Sequence, residues 1–215
     1  MNFAEMPPKI NKEALENYHE ANFNVEEKLK ELKGPLIEAA GPTIRGYELI
    51  NVNNLDKKIF ISNLHDSSRR GKIDFRGDIR KFPIKDNSVG ALFVSALGGS
   101  QGDSSEEFKR LRIKVMSDKR DARKKEFKKF IELNKIEFRK LVDEAIREAF
   151  RVIEDKGLLI WQDGVKEDIV SAENMGFVTK VIQNNLDRRT IKKSHQFLDN
   201  TYDLIFEKVL SEAEK

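Results

Sequence analysis

The chain contains no cysteine, one tryptophan, three histidines and five prolines in 215 residues. Without cysteine there is no disulfide framework and no thiolate chemistry. The histidines, His19, His65 and His195, stand far apart, so no metal-ligand spacing is visible. No Ser-His-Asp arrangement and no phosphate-binding Gly-Lys-Ser/Thr loop appears. No apolar run approaches the roughly 18 residues that span a bilayer. The opening "MNFAEMPPKI" lacks the basic-then-apolar order of a secretory signal. These absences lead us to expect a soluble, cytoplasmic protein. The net charge is +3, too small by itself to imply a nucleic-acid partner.

What the chain does have is enough apolar material for one core. Apolar residues make up 39% of it and 14 are phenylalanine, above what a disordered chain shows. Residues 9–33 are helical in composition, with Leu15, Tyr18, Val25, Leu29 and Leu32 at partial 3.6-residue spacing. Gly34-Pro35 ends that helix. Strands are expected at "PLIEAAG", over 57–64, at "KIDFRGDI", and over 89–99, where "VGALFVSALGG" reads as a strand buried on both faces. Residues 104–155 read as a long helix whose Phe138, Val142, Ala145, Ala149 and Val152 form one apolar stripe. After it come a strand over 158–163, a short helix ended by Gly176, and two last strands, "FVTKVIQN" and "YDLIFEKV", joined by a polar segment. Strands alternating with helices predict an open, mostly parallel α/β sheet. The final pair, with no helix between them, predicts an antiparallel edge.

In such a sheet, ligands bind beyond the carboxyl ends of the strands, where the strand order reverses. The first parallel strand borders that point, so residues 38–43 are where the fold puts a ligand. Small residues there allow close backbone approach.

Three stretches, "LIEAAGP", "GDIRKFPIKDNSVGALFVSAL" and "EAFRVIEDKGLLIWQDG", resemble class I S-adenosylmethionine-dependent methyltransferases over roughly residues 35–210. The resemblance implies a Rossmann-like, seven-stranded, mostly parallel sheet with helices on both faces and an antiparallel C-terminal strand pair. It implies a helical segment over 1–34 packing on a methyltransferase-like domain over 35–215, with a long helical insertion at about 104–155. It implies S-adenosylmethionine as cofactor and an unidentified methyl acceptor. Glu38, Ala40, Gly41 and Pro42 would follow the cofactor's methionine part, and Asp78 with Ile79 its adenine edge. Asn63 stands where the family has an acid for the ribose hydroxyls. Ser95 and Ala96 would face the methyl group and acceptor. The family's Gly-x-Gly is here Ala-Gly-Pro, and "TIRGYELINVNN" is a poor version of the helix that follows it.

Other readings of the same residues stay open. Asp78 alone suits a turn or cap, Trp161 suits a core, and His65 sits near a strand end where a base would serve methyl transfer. The missing glycine spacing and Asn63 fit a non-catalytic binding module of the same fold. The stretch "FKRLRIKVMSDKRDARKKEFKK" is rich in Lys and Arg. Lys109, Arg110, Arg112, Lys124 and Lys125 would track RNA phosphates, or form a solvated helix face with i,i+4 pairs such as Asp121 with Lys125.

Overall fold

The structure is a computed structural model and describes residues 15–42, 47, 49–64, 72–95, 110, 123–185 and 201–210, the side chains of 123–128 and 131 excepted. The elements are β1 (Tyr18–His19), α1 (Val25–Glu31), β2 (Leu36–Ala39), β3 (Ile59–Asn63), β4 (Phe75–Arg76), β5 (Val89–Val94), α2 (Arg123–Val152), β6 (Ile153–Gly164), α3 (Lys166–Asn174), β7 (Phe177–Asn184) and β8 (Tyr202–Lys208). The strands form one eight-stranded sheet in the order β1-β7-β8-β6-β5-β2-β3-β4. From β4 to β6 all neighbours are parallel. Strand β8 lies antiparallel to both β6 and β7, and β1 antiparallel to β7. The expected Rossmann-like sheet with its antiparallel C-terminal pair is therefore present, with eight strands in place of seven.

The eighth strand comes from a segment whose composition reads as helix. Over the described part of residues 9–33, only Val25–Glu31 is helical. Asn22 takes a left-handed φ of 65°, and the Asn24 side chain accepts hydrogen bonds from the Glu26 and Glu27 amides. Asparagine thus starts the helix at 25 and leaves Tyr18–His19 free to pair with Val181 and Ile182 on the edge of the sheet.

Side-chain alternation divides the core by face. Ile37, Leu92, Leu159 and Phe206 point to one face with Val142, Ala145, Ile146 and Ala149 of α2 and with Ile169 and Ala172 of α3. Leu36, Ala91, Phe93, Leu158 and Ile160 point to the other, with Leu29 and Leu32 from the α1 region and Ile50 and Leu55 from the following loop. Each fully buried aliphatic side chain contributes about 1.5–3 kcal/mol. Strand β5 is buried at all six positions, as its unbroken apolar run requires. The Gly34 and Gly90 backbones approach so closely that a Cβ on Gly90 would lie 2.7 Å from the Gly34 carbonyl oxygen.

Helix α2 ends at Val152 and β6 begins at once, three residues before the expected close at 155. Lys208, 2% exposed, donates to the Phe150 and Ile153 carbonyls at 2.5 and 2.8 Å. It satisfies one carbonyl in the last turn of the helix and the first of β6, while the Asn87 and Ser88 amides take those of Arg151 and Val152. Residues 104–109 and 111–122 of the expected helix lie outside the described residues. Among the described residues, no helix is long and apolar enough to cross a membrane.

Candidate functional site

Strand β2 is the switch point. The chain moves from β2 outward to β3 and β4, then returns to place β5 on the other side of β2. The carboxyl ends of β3, β2 and β5 therefore lie side by side, and the crevice between β2 and β5 is where a doubly wound sheet holds its ligand. The register sets Ala39 beside Val94, so Ala40 and Ser95 leave the sheet next to each other. Ser95 is 5% exposed.

A chain of hydrogen bonds gathers the rest of this rim. The Ser62 hydroxyl donates to the Glu38 carbonyl at 3.1 Å, and the Gly41 amide donates to the Ser62 carbonyl at 3.0 Å. Asn63 Nδ2 donates to the Gly41 carbonyl at 2.5 Å. The Gly77 amide donates to the Asn63 carbonyl at 3.2 Å, which brings Asp78 to the same edge. Ala40 has a φ of 60°, a left-handed turn that glycine adopts without strain. It is followed by Gly41 and a cis peptide bond to Pro42. The left-handed turn thus falls on Ala40, a residue that carries a Cβ.

Glu38 is 3% exposed and faces the side of the sheet that α1 covers, beside Phe93. Its side chain folds under the loop, so that a Cβ on Gly41 would lie 2.4 Å from Glu38 Cδ. The Tyr47 ring packs on Phe93 with centroids 4.8 Å apart, and its buried hydroxyl lies against Glu38. Burial, and then the Glu38 carboxylate, push that hydroxyl above the ordinary phenol range. Tyr47, with Leu49 beside the same cluster, fills this side of the loop. No α-helix follows among the described residues to 58; Val52–Asn54 form a single 3-10 turn. Asn51 and Asn54 tie this turn to Glu26 of α1.

Asp78 is held by its neighbour. Arg80 donates Nε and Nη2 to its two carboxylate oxygens at 3.0 and 2.6 Å, and the Arg80 amide donates to Oδ1 at 2.9 Å. That guanidinium holds the Asp78 carboxyl below the usual carboxylate range. Ile79 is buried in the core with Phe82. Glu38, Ala40, Gly41, Pro42, Asn63, Asp78 and Ser95 thus share one rim, while Ile79 points inward beneath it. Trp161 is core, 3% exposed. His65, Ala96, His195, Lys109 and Arg112 lie outside the described residues. Arg110 is helical and exposed. No cluster of three or more metal-binding side chains occurs among the described residues.

Two groups at the rim escape a reading of sequence. Asn185 Nδ2 donates to Asp203 Oδ1 at 2.9 Å, both residues buried, where β7 ends and β8 begins. Arg139 of α2 bridges to α3: Nη1 reaches Asp168 Oδ1 at 2.5 Å, and Nε and Nη2 reach Asp143 Oδ1 at 3.0 and 2.6 Å. The i,i+4 pairing of Arg139 with Asp143 is legible from spacing. Asp168, 29 residues on, is not.

These features define a Rossmann-like α/β domain with its candidate cleft at the carboxyl rim of β2, β3 and β5. No family model matches the chain, and no curated protein does. Among solved structures, it is similar to a geranyl diphosphate methyltransferase solved with GPP and sinefungin. There the identity is 9%, with 86% of this chain and 76% of that one covered, at TM-score 0.45. It is similar to the geranyl diphosphate C-methyltransferase of Streptomyces coelicolor A3(2), at 7% identity, 85% and 74% coverage and TM-score 0.42. It is also similar to the cyclase SpnF, at 13% identity, 83% and 76% coverage and TM-score 0.42. Likenesses this distant carry no argument about what the cleft does.

Proposed function

We propose that the chain is a methyltransferase-like protein that binds S-adenosylmethionine across the rim and passes its methyl group to an acceptor. The observation that carries this reading is the meeting of the resembling stretches: the turn after Glu38, Asn63, the Asp78 turn and Ser95 lie on neighbouring strand ends at the switch point. The left-handed turn at Ala40 and the bare backbone of Gly41 suit the group, because they let a ligand approach the main chain. Bound there, the cofactor supplies an electrophilic methyl on a sulfonium. The protein's part is alignment, and proximity accounts for much of such a rate enhancement. Glu38 offers a carboxylate under the loop, and Asp78 stays ionised at neutral pH. Calorimetry is expected to show S-adenosylmethionine binding in the micromolar range. Gly41→Ala, which drives a methyl into Glu38, is expected to weaken it at least tenfold. No heat at high protein concentration would refute the reading.

A second reading has its own observation. The Asn63 donor is spent on the Gly41 carbonyl, and Tyr47 stands against Glu38 and Phe93. Both fit a non-catalytic binding module that keeps the fold. Under this reading wild-type protein gives no cofactor heat, and Tyr47→Ala does not restore it. Turnover of S-adenosylmethionine by the wild type would remove it.

A further inference from the structure

Asn63 ends β3 and holds a turn on either side of it. Its side-chain Nδ2 donates to the Gly41 carbonyl at 2.5 Å, and its own carbonyl accepts from the Gly77 amide at 3.2 Å. The residue before it completes the hold, because the Ser62 carbonyl accepts from the Gly41 amide at 3.0 Å. Both backbone polar groups of Gly41 are thus fixed by the end of β3. The next residue, Pro42, has no amide to add. Through Asn63, the loop after β2 and the turn that carries Asp78 are tied to one strand end.

The chemistry of this corner calls for a donor. Ile61 stands beside Glu38 in the register, and Asn63, two residues on, points to the same face of the sheet. The Glu38 carboxylate lies under Gly41, close enough that a Cβ there would meet its Cδ at 2.4 Å. The half-buried Asn63 side chain therefore faces a carbonyl oxygen, with a buried carboxylate beyond it. An amide can donate there, whereas an ionised carboxylate only accepts. An aspartate in its place would set two acceptors against each other and add a like charge, where partial burial strengthens both effects. The charged groups around the corner are few. Asp78 is bound by Arg80, and Asp74 by Lys58. Arg76 lies beside Asn63 on β4, but it is exposed, and water screens its pull.

We infer that Asn63 is a positioning residue of the rim. Its amide clamps the Gly41 carbonyl, and the acid that the methyltransferase family carries at this place would here open the loop instead of improving the site. The bearing on S-adenosylmethionine rests on the methyl-transfer reading; the clamp does not. The test compares wild type, Asn63→Asp and Asn63→Ala by urea unfolding and by calorimetry with S-adenosylmethionine, at about pH 4.5 and about pH 7.5. The Gly41 carbonyl and Glu38 should raise the introduced carboxyl above about 3.9 in the folded state. Its protonated form donates to Gly41, so its contribution is full below the unfolded pKa and is lost as pH rises through the folded value. Asn63→Ala keeps Glu38 and Arg76, so measuring against it removes their own titration. On that scale the folding constant of Asn63→Asp should fall from pH 4.5 to pH 7.5, by up to about tenfold for each pH unit crossed below the folded pKa. At pH 7.5, Asn63→Asp should bind S-adenosylmethionine about tenfold more weakly than wild type. That gap should narrow towards pH 4.5, while the gap for Asn63→Ala does not. A merely structural asparagine would give no such pH dependence. The clamp is overturned by an Asn63→Asp folding constant that stays level across the two pH values, by one that rises with pH because Arg76 captures the carboxylate, or by cofactor binding as tight as wild type. A wild type without cofactor heat, whose Asn63→Asp variant still shows the pH-dependent loss, removes methyl transfer alone.

Discussion

Arg139→Met should make the stability of this protein depend on pH in a direction opposite to ordinary acid denaturation. Asp168 is 3% exposed, and burial pushes its carboxyl up from the usual carboxylate range, with the Val165 amide and Arg139 opposing that rise. Removing Arg139 takes away its counter-charge and moves the folded pKa further up. A carboxyl raised in the folded state keeps its full stability contribution below its unfolded pKa, about 3.9. That contribution is lost as pH rises through the folded value. The deficit of Arg139→Met should therefore grow by about 1.4 kcal/mol per pH unit between the wild-type and variant folded pKa values. It should reach about 3–5 kcal/mol at pH 7.5, the usual cost of stranding one member of a buried pair. Near pH 4.5 a smaller remainder is expected, from the lost bonds to Asp143 and Ser171. Adding Asp168→Asn, which cannot ionise, should recover about 2 kcal/mol at pH 7.5. Urea unfolding, followed through the buried Trp161, reads all of these. A deficit equal at pH 4.5 and 7.5, or a double variant no more stable than the single one, would refute the reasoning.

Two further substitutions probe the loop and the opposite edge. Ala40→Gly relieves a left-handed strain of about 1–2 kcal/mol and adds back about 0.5–1 kcal/mol of glycine's backbone entropy. Its melting temperature should rise by about 2 °C, and a fall in a thermal melt would contradict the turn at Ala40. Lys208→Met removes a buried donor from Asn87 Oδ1 and the Phe150 and Ile153 carbonyls. It should cost about 3 kcal/mol or more while leaving ligand binding by the folded fraction unchanged, because these groups lie at the amino end of β5, away from the rim. A loss of binding without a loss of urea resistance would count against that separation.

The sequence by itself determined the sheet. Apolar runs such as "VGALFV" and "LLIWQ" have nowhere to go but a strand buried on both faces. The α2 stripe at Val142, Ala145 and Ala149 shows which side meets it, and the unbroken Phe177–Asn184 and Tyr202–Lys208 pair shows the antiparallel edge. These are local periodicities, and local chemistry sets them. Tertiary structure alone decided three things. Tyr18–His19 became a strand because an open sheet edge lay within reach of a segment that Asn24 excluded from the helix. Helix α2 stopped at Val152 because the Asn87 and Ser88 amides took the Arg151 and Val152 carbonyls and Lys208, more than fifty residues later, took that of Phe150. At the rim, Asn63 turned to the Gly41 carbonyl and Glu38 lay under Tyr47, partners brought together by strand order and not by spacing along the chain. Hydrogen bonds between distant residues are chosen by which strand ends become neighbours, and that choice is made only when the whole sheet closes.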